Sequence, residues 1–187
     1  MSTLATPQYA TAVTTWNIDP VHSVAEFKVK HMMISNVKGS FHGLSGTLQL
    51  DETDRTHSVV EASIDVNTIN TGDAQRDGHL KSAEFFDAEK FPTITFKSLN
   101  IDSTGGPDYE VSGELTIRGV TKTVTFAVED LSSPAKDPWG NHRIGLSAST
   151  KINRKDFDLG WNAALETVGV LVGEEVKITL EVEFIKG

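Results

Sequence analysis

Apolar and polar residues alternate with a period of two through most of this sequence, which limits the chain to folds built from half-buried β-strands. Ala25, Phe27 and Val29 fall on one face of such a strand, with charged residues between them. The same alternation recurs over residues 60–66, 109–117, 124–128, 144–152 and 176–184. Further strand candidates lie at 14–18, 41–50 and 93–99. Together these segments predict an all-β domain of about eight strands.

Turn-forming clusters separate the strands. Gly105-Gly106-Pro107-Asp108 and Arg118-Gly119 are typical of reversals between neighbouring antiparallel strands. Strands with one apolar face can be buried by pairing two sheets or by closing one sheet into a barrel. Periodicity alone leaves both arrangements open.

One segment, residues 71–92, lacks the alternation. It has helix-start character at Thr71 or Asp73, and its helical turns must stop before Pro92. A connection this long is uncommon in a compact barrel unless it covers a site or packs as a small element of its own. We therefore predict a short helical insertion close to the functional site.

Composition excludes several classes of function. Seventeen basic and 26 acidic residues give a net charge of −9, which disfavours non-specific attraction to nucleic acid or to anionic membranes. The chain has no cysteine, so it forms neither disulfides nor thiolate metal sites. No run of apolar residues is long enough for a membrane-spanning helix.

The N-terminal residues differ from the rest. Residues 1–15 contain no Lys or Arg and no long apolar run, so they lack the regions of a signal peptide and predict a cytoplasmic protein. We expect residues 1–14 to form a flexible tail and residues 15–187 to form a single domain.

Histidines invite a metal-site interpretation, but the spacing of His22, His31, His42 and His79 matches no known zinc motif. No metal site is predicted. His22 and His79 are expected instead to hydrogen-bond backbone or carboxylate groups where the insertion meets the barrel.

Paired charges occur at Arg76-Asp77 and at Arg154 with Asp156, and ion pairs that anchor the insertion and the last long turn are expected from them. No nucleophile signature or phosphate-binding loop is present, so no catalytic residue and no cofactor are predicted.

Several motifs in a fixed order resemble the YceI-like family. Among them are Val37-Lys38-Gly39-Ser40-Phe41 and Arg76-Asp77-Gly78-His79-Leu80, and the others lie at residues 16–23, 85–92, 115–121 and 152–162. The resemblance covers about residues 16 to 184. It implies an extended lipocalin-like antiparallel β-barrel with a polyisoprenoid or similar amphiphile in its central cavity. One departure is Asp158, where the family commonly has Gly, although Asp tolerates a left-handed conformation better than most residues.

The resemblance implies a protein that binds, stores or transports a long apolar ligand such as a polyisoprenoid or an isoprenoid quinone. The residues expected to bind it are Phe27, Val29, His31, Phe41, Ile64, Arg76, His79, Leu80, Phe85, Phe86, Phe96, Leu146 and Trp161. From the residues alone, the inward-facing side chains could line a tube or interlock as a packed core. The resemblance also makes a homodimer plausible.

Two further alternatives stay open. A phosphate head group would seek Arg76, Lys81 and the helix start near Asp73, whereas an uncharged head group would need only a few hydrogen-bonding groups. A hydrolase or isomerase acting on a lipid-like substrate would use the region of His22, Asp77 and His79. A packed barrel that serves as an interaction module would have no cavity at all.

Overall fold

The structure, a computed structural model, describes residues 12–166 and 169–187. The described chain forms strands joined mainly by tight turns, with one α-helix, α1, at Ala74–Lys81. The strands are β1 Val13–Ile18, β2 Val24–His31, β3 Ser35–Phe41, β4 Leu44–Asp51, β5 Val59–Asp65, β6 Thr93–Gly105, β7 Asp108–Ile117, β8 Val120–Glu129, β9 Ala135–Lys136, β10 His142–Asn153 and β11 Val172–Lys186.

The sheet closes on itself. Going round the barrel, each strand pairs with the next in the order β11, β1, β4, β5, β6, β7, β8 and β10, and β10 pairs back with β11. The pairings are antiparallel throughout. The predicted lipocalin-like antiparallel barrel of about eight strands with a short helical insertion is confirmed.

Two long strands of the barrel wall are each divided in two, one into β1 and β2 and the other into β3 and β4. β1 and β2 both run antiparallel to β11, with Ile18 opposite Phe184 and Val24 opposite Glu181, so β2 continues the line of β1 after a turn. The strand predicted over residues 41–50 is confirmed for residues 44–50 as part of β4, but its start is wrong, because β3 ends at Phe41 and β4 begins at Leu44. The break lies where Gly43 exchanges hydrogen bonds with Asp65 and Thr68 instead of with a neighbouring strand.

The insertion covers the end of the barrel at which β2 meets β3. Ser40 of β3 pairs with Asn70, the residue that leads into the insertion. Asp73 caps α1, since its carboxylate accepts a hydrogen bond from the Arg76 amide at 2.8 Å. Of the two predicted helix starts, Asp73 is therefore the one used. The β10–β11 connection lies at the same end of the barrel, which we call the insertion end.

Of the predicted tail over residues 1–14, residues 1–11 lie outside the described part of the chain, and Val13 and Thr14 belong to β1. In the part of the chain that the structure describes, no helix is long and apolar enough to cross a membrane.

Two large aromatic side chains are fully buried in the core of the barrel. Trp16 and Phe157 are each 1% exposed, and Trp16 donates a hydrogen bond from Nε1 to Thr14 Oγ1. The short 3-10 helix Arg154–Phe157 ends on Asp158, which has φ 61° and ψ 21°. The turn is thus made in the left-handed region, as expected for an Asp at this position.

One strand glycine gives a test of how closely the wall is packed. A Cβ added to Gly113 would lie 2.4 Å from the Lys97 carbonyl oxygen and 2.5 Å from the Phe96 ring. Because a backbone atom must shift, Gly113→Ala is expected to lower the free energy of unfolding by about 1–3 kcal/mol. Gly145→Ala, whose Cβ would find its nearest atom at 3.8 Å, serves as the control. Urea denaturation measures both, and equal effects would contradict the close packing at Gly113.

Candidate ligand-binding cavity

The barrel encloses a cavity of about 440 Å³. Several apolar side chains point inward from the middle of the strands yet keep part of their surface accessible. They are Phe27, Val60, Ala62, Ile64, Phe96, Leu146, Ile178 and Leu180. In a filled interior such residues would be fully buried, because protein cores leave few voids larger than a water molecule. Their residual exposure therefore shows that the barrel is hollow.

The wall of the cavity is apolar. Strands on opposite sides contribute Phe96, which packs edge-on against Phe126 at 5.2 Å, and Phe27, whose ring lies 5.7 Å from that of Phe41. A volume of this size falls in the range of ordinary small-molecule pockets. An apolar void of this kind is poorly solvated by water and binds apolar molecules.

Every residue predicted to bind the ligand lies on the cavity wall. These residues are Phe27, Val29, His31, Phe41, Ile64, Arg76, His79, Leu80, Phe85, Phe86, Phe96, Leu146 and Trp161. Their contact with a ligand stays a prediction, since only their position on the wall is observed.

Aromatic rings from the insertion and from the β10–β11 connection form a roof at the insertion end. The His79 ring packs edge-on against Phe85 at 5.1 Å and against Trp161 at 4.8 Å. Phe86 packs edge-on against Phe41 of the barrel wall at 5.9 Å. The roof is thus continuous with the apolar lining.

Thr71 anchors the helix of the roof. Arg76 donates from Nε to Thr71 Oγ1 at 2.8 Å and from Nη2 to the Thr71 carbonyl at 2.9 Å. The Asp77 carboxylate accepts from the Thr71 amide at 2.9 Å and from its hydroxyl. The expected ion pair between Arg76 and Asp77 is therefore wrong, because both side chains bind Thr71 instead.

The Arg154–Asp156 pair is likewise wrong. The Arg154 guanidinium is buried and donates to the carbonyl oxygens of Gly173, Leu159, Trp161 and Val172. Burial lowers the pKa of Arg154 from its ordinary value. The side chain thus anchors the β10–β11 connection through backbone groups rather than through a carboxylate.

Polar groups at the mouth do not form a strong phosphate site. The Asp73 carboxylate already occupies the first turn of α1, so the helix amides face an acidic group. Two of the Arg76 guanidinium nitrogens are committed to Thr71. Lys81 is not among the residues that line the cavity.

His79 and His22 have carboxylate partners, but in different places. His79 Nε2 lies 2.5 Å from Glu84 Oε2 within the insertion, as expected. His22 Nδ1 lies 2.8 Å from Asp19 Oδ2, in the turn between β1 and β2, and so does not join the insertion. Since Asp77 is bound to Thr71, the structure does not bring His22, Asp77 and His79 together as the enzymatic alternative requires.

Sequence reasoning missed the charged cluster around Arg143. Arg143 Nη1 lies 2.7 Å from Asp19 and 2.5 Å from Glu183, and Nε lies 2.7 Å from Asp137. Asp19, His22 and Glu183 could together hold a metal ion, but the guanidinium already supplies a cation to both carboxylates. Hydrogen bonds from His22 and Arg143 lower the pKa of Asp19 to about 2. Asp19, Arg143 and Glu183 are remote from one another in sequence, so no local signal marked the cluster.

A YceI-like domain model matches residues 16–184 of the chain. The chain belongs to the YceI-like family. A UPF0312 protein of Staphylococcus aureus is 37% identical over 173 residues, which cover 92% of this chain and 98% of that protein.

Three solved structures share the barrel fold. The Campylobacter jejuni YceI protein is 30% identical with a TM-score of 0.71, over 86% of this chain and 91% of that one. BcnA of Burkholderia cenocepacia is 26% identical with a TM-score of 0.75, over 89% and 98%. A polyisoprenoid binding domain from Saccharophagus degradans, at 19% identity and a TM-score of 0.68 over 93% and 99%, shares the fold.

If the interior is hollow, a larger side chain on the cavity wall should not lower the free energy of unfolding. Ala62→Leu adds methylenes where space is free, so we expect the free energy of unfolding to stay unchanged or to rise by about 0.5–2 kcal/mol. Ala88→Leu is the matched control, because Ala88 is buried in the packed core and does not line the cavity. It should lose about 1–3 kcal/mol. A similar loss for both variants in urea denaturation would mean that the barrel is filled.

The Arg143 cluster predicts a pH-dependent contribution to stability. Because the pKa of Asp19 is lowered from 3.8 to about 2, its ionised form stabilises the fold above the ordinary value, and this stabilisation is lost as the pH falls through about 2. Asp19→Asn should lower the free energy of unfolding by about 1 kcal/mol at neutral pH. Denaturant titrations at a series of pH values should show this deficit shrinking below the ordinary pKa. A deficit that does not depend on pH would contradict this assignment.

Proposed function

We propose that this protein binds and carries or stores a long apolar molecule, of the polyisoprenoid or isoprenoid-quinone kind, inside the barrel. The single observation that carries the proposal is the apolar cavity of about 440 Å³ whose wall residues remain partly accessible. An empty apolar cavity of this size is costly to maintain, since voids destabilise a fold in proportion to their volume. A ligand that fills it removes that cost.

The chemistry of the wall favours a hydrocarbon chain. Each methylene transferred from water to such a wall contributes about 0.8 kcal/mol, so a chain of several isoprene units gains enough to bind tightly after its ordering cost. The aromatic roof supplies flat apolar surfaces that suit an unsaturated, branched chain. Specificity then depends mainly on the length and width of the chain.

The head group is proposed to be uncharged and to lie at the insertion end. Arg76 and His79 line the cavity there, and each can offer a hydrogen bond while it stays bound to its own partner. A hydroxyl, a quinone carbonyl or an amide needs no more than this. A pyrophosphate would require free cationic groups, whereas Arg76 is engaged and Asp73 adds negative charge nearby.

One structural relative supports this proposal. The Saccharophagus degradans domain is described as polyisoprenoid binding, and this chain shares its fold. The alternative of a hydrolase or isomerase is not favoured, because His22, Asp77 and His79 have separate partners. The expected homodimer and cytoplasmic location stay predictions.

Two neighbouring valines on β5 offer a matched test. Val60 lines the cavity, whereas Val59 points outward and is 41% exposed. Val60→Trp should displace about two methylenes of the ligand and weaken binding about tenfold or more. Val59→Trp should leave binding unchanged. Fluorescence titration with a dansyl-labelled geranylgeraniol measures both.

Outcomes of this titration are distinct. Tight binding by the wild type, lost only in the Val60 variant, supports the proposal. Equal binding by both variants would place the probe on the outer surface, and absence of binding by the wild type would reject an isoprenoid carrier.

A further inference from the structure

The turn between β2 and β3 presents an apolar tip beside the cavity. Met33 is 55% exposed and Ile34 is 80% exposed, and Met32 is also exposed. We call Met32, Met33 and Ile34 the hairpin tip. The Met32 amide donates to the Leu171 carbonyl at 2.8 Å, and both His31 and Leu171 line the cavity. The tip therefore lies at the insertion end, next to the proposed mouth.

The residues of the hairpin tip are unfavourable for the type of turn that they form. Met32 and Met33 have φ angles of 50° and 61°, and the Ile34 amide donates to the His31 carbonyl at 3.1 Å. Two consecutive residues with positive φ define a type I′ hairpin turn, which favours Asn-Gly. Side chains other than Gly and Asn are strained there. Stability of the turn therefore does not explain the two methionines.

Four lysines form a row across neighbouring strands on the outer surface of the barrel. Lys38 lies opposite Lys28, Lys28 opposite Lys177, and Lys177 opposite Lys151, across the four adjacent strands β3, β2, β11 and β10. All four face outward and are exposed. Like charges placed directly opposite one another destabilise a sheet. We call these residues the lysine row.

Few carboxylates neutralise the row. Lys151 pairs with Glu175 at 3.2 Å. Within the described residues, the other ion pairs made by lysine are those of Lys97, Lys155 and Lys186, so Lys28, Lys38 and Lys177 have no carboxylate within 4.0 Å. Lys30, which is exposed and also lines the cavity, adds a further cation two residues, about 7 Å, behind Met32. The chain is net acidic, but this face is locally basic.

We propose that the hairpin tip and the lysine row dock the barrel on an anionic lipid surface, with the cavity mouth held against the membrane. Apolar side chains that enter the headgroup region, backed by lysines that attract anionic lipids, are the two features that bind a protein at a membrane surface. A carrier docked in this way passes an apolar ligand between bilayer and cavity without exposing it to water. Docking itself does not depend on the identity of the ligand.

Vesicle co-sedimentation tests the apolar part. Wild-type protein should sediment with vesicles of phosphatidylcholine and phosphatidylglycerol at low salt, but not with phosphatidylcholine alone. Met32→Asn combined with Met33→Gly supplies the residues that the turn prefers, so the variant should fold at least as stably while binding vesicles about tenfold more weakly. A stable variant that binds like the wild type would overturn the proposal.

Charge is tested by removing two lysines at a time. Lys28→Gln with Lys38→Gln should weaken binding to anionic vesicles about 25-fold, at about fivefold for each lysine. Lys97→Gln with Lys136→Gln removes the same charge elsewhere on the surface and should have little effect. Equal losses in the two double variants would show a non-specific response to net charge and overturn the proposal.

Insertion of the tip can be seen directly, since the chain has no cysteine. Ile34→Cys carries a polarity-sensitive dye at the tip, and Val21→Cys is the matched control because Val21 is 81% exposed at the opposite end of β2. The emission of the dye should shift to the blue with anionic vesicles only at position 34. Equal shifts at both positions, or none, would overturn the proposal.

A second copy of the chain is the competing occupant of the tip. Wild-type dimers that dissociate on Met32→Asn with Met33→Gly in the absence of vesicles would assign the tip to self-association and overturn membrane docking. Binding of the dansyl probe is measured in solution without vesicles. The failure of docking and the failure of cavity binding are therefore separate results.

Discussion

Closure of the sheet through β11 is the interaction on which the rest of the structure depends. One edge of β11 pairs with β10 over eleven consecutive positions, and the other edge pairs first with β2 and then with β1. Eight strands joined in this way leave an interior just wide enough for side chains or for one slender ligand. The wall then fixes which side chains face inward, because neighbouring residues on a strand must face opposite sides.

The wide interior makes a separate cover necessary. Among the described residues, the outer edge of β3 pairs with no strand beyond the contact of Ser40 with Asn70, and the insertion lies there. Backbone-directed hydrogen bonds hold the cover on both sides, from Arg76 to Thr71 and from Arg154 to the β10–β11 connection. Aromatic side chains fill the space between these two anchors, so the roof is apolar where it meets the cavity.

Much of this structure was readable in the sequence. Alternation gave the inward faces of the strands, and the absence of alternation marked the insertion, because each follows from local periodicity. The break at His42-Gly43 was not predicted, since it depends on Thr68 and Asp65, more than twenty positions away. The same reason explains the Arg143 cluster and the lysine row, which exist only through strand register. Arg76 and Arg154 were paired with the wrong partners because the nearest carboxylate in sequence is not the nearest acceptor in space.

The central claim is that the cavity of the hollow barrel holds an apolar molecule. Native mass spectrometry of the purified protein, followed by organic extraction of the same sample, examines those contents most directly. A bound mass that is released by extraction and recovered chemically unaltered as a prenyl lipid is the predicted result. A protein that shows only the mass of its own chain and yields no lipid, even after incubation with geranylgeraniol, would contradict the account.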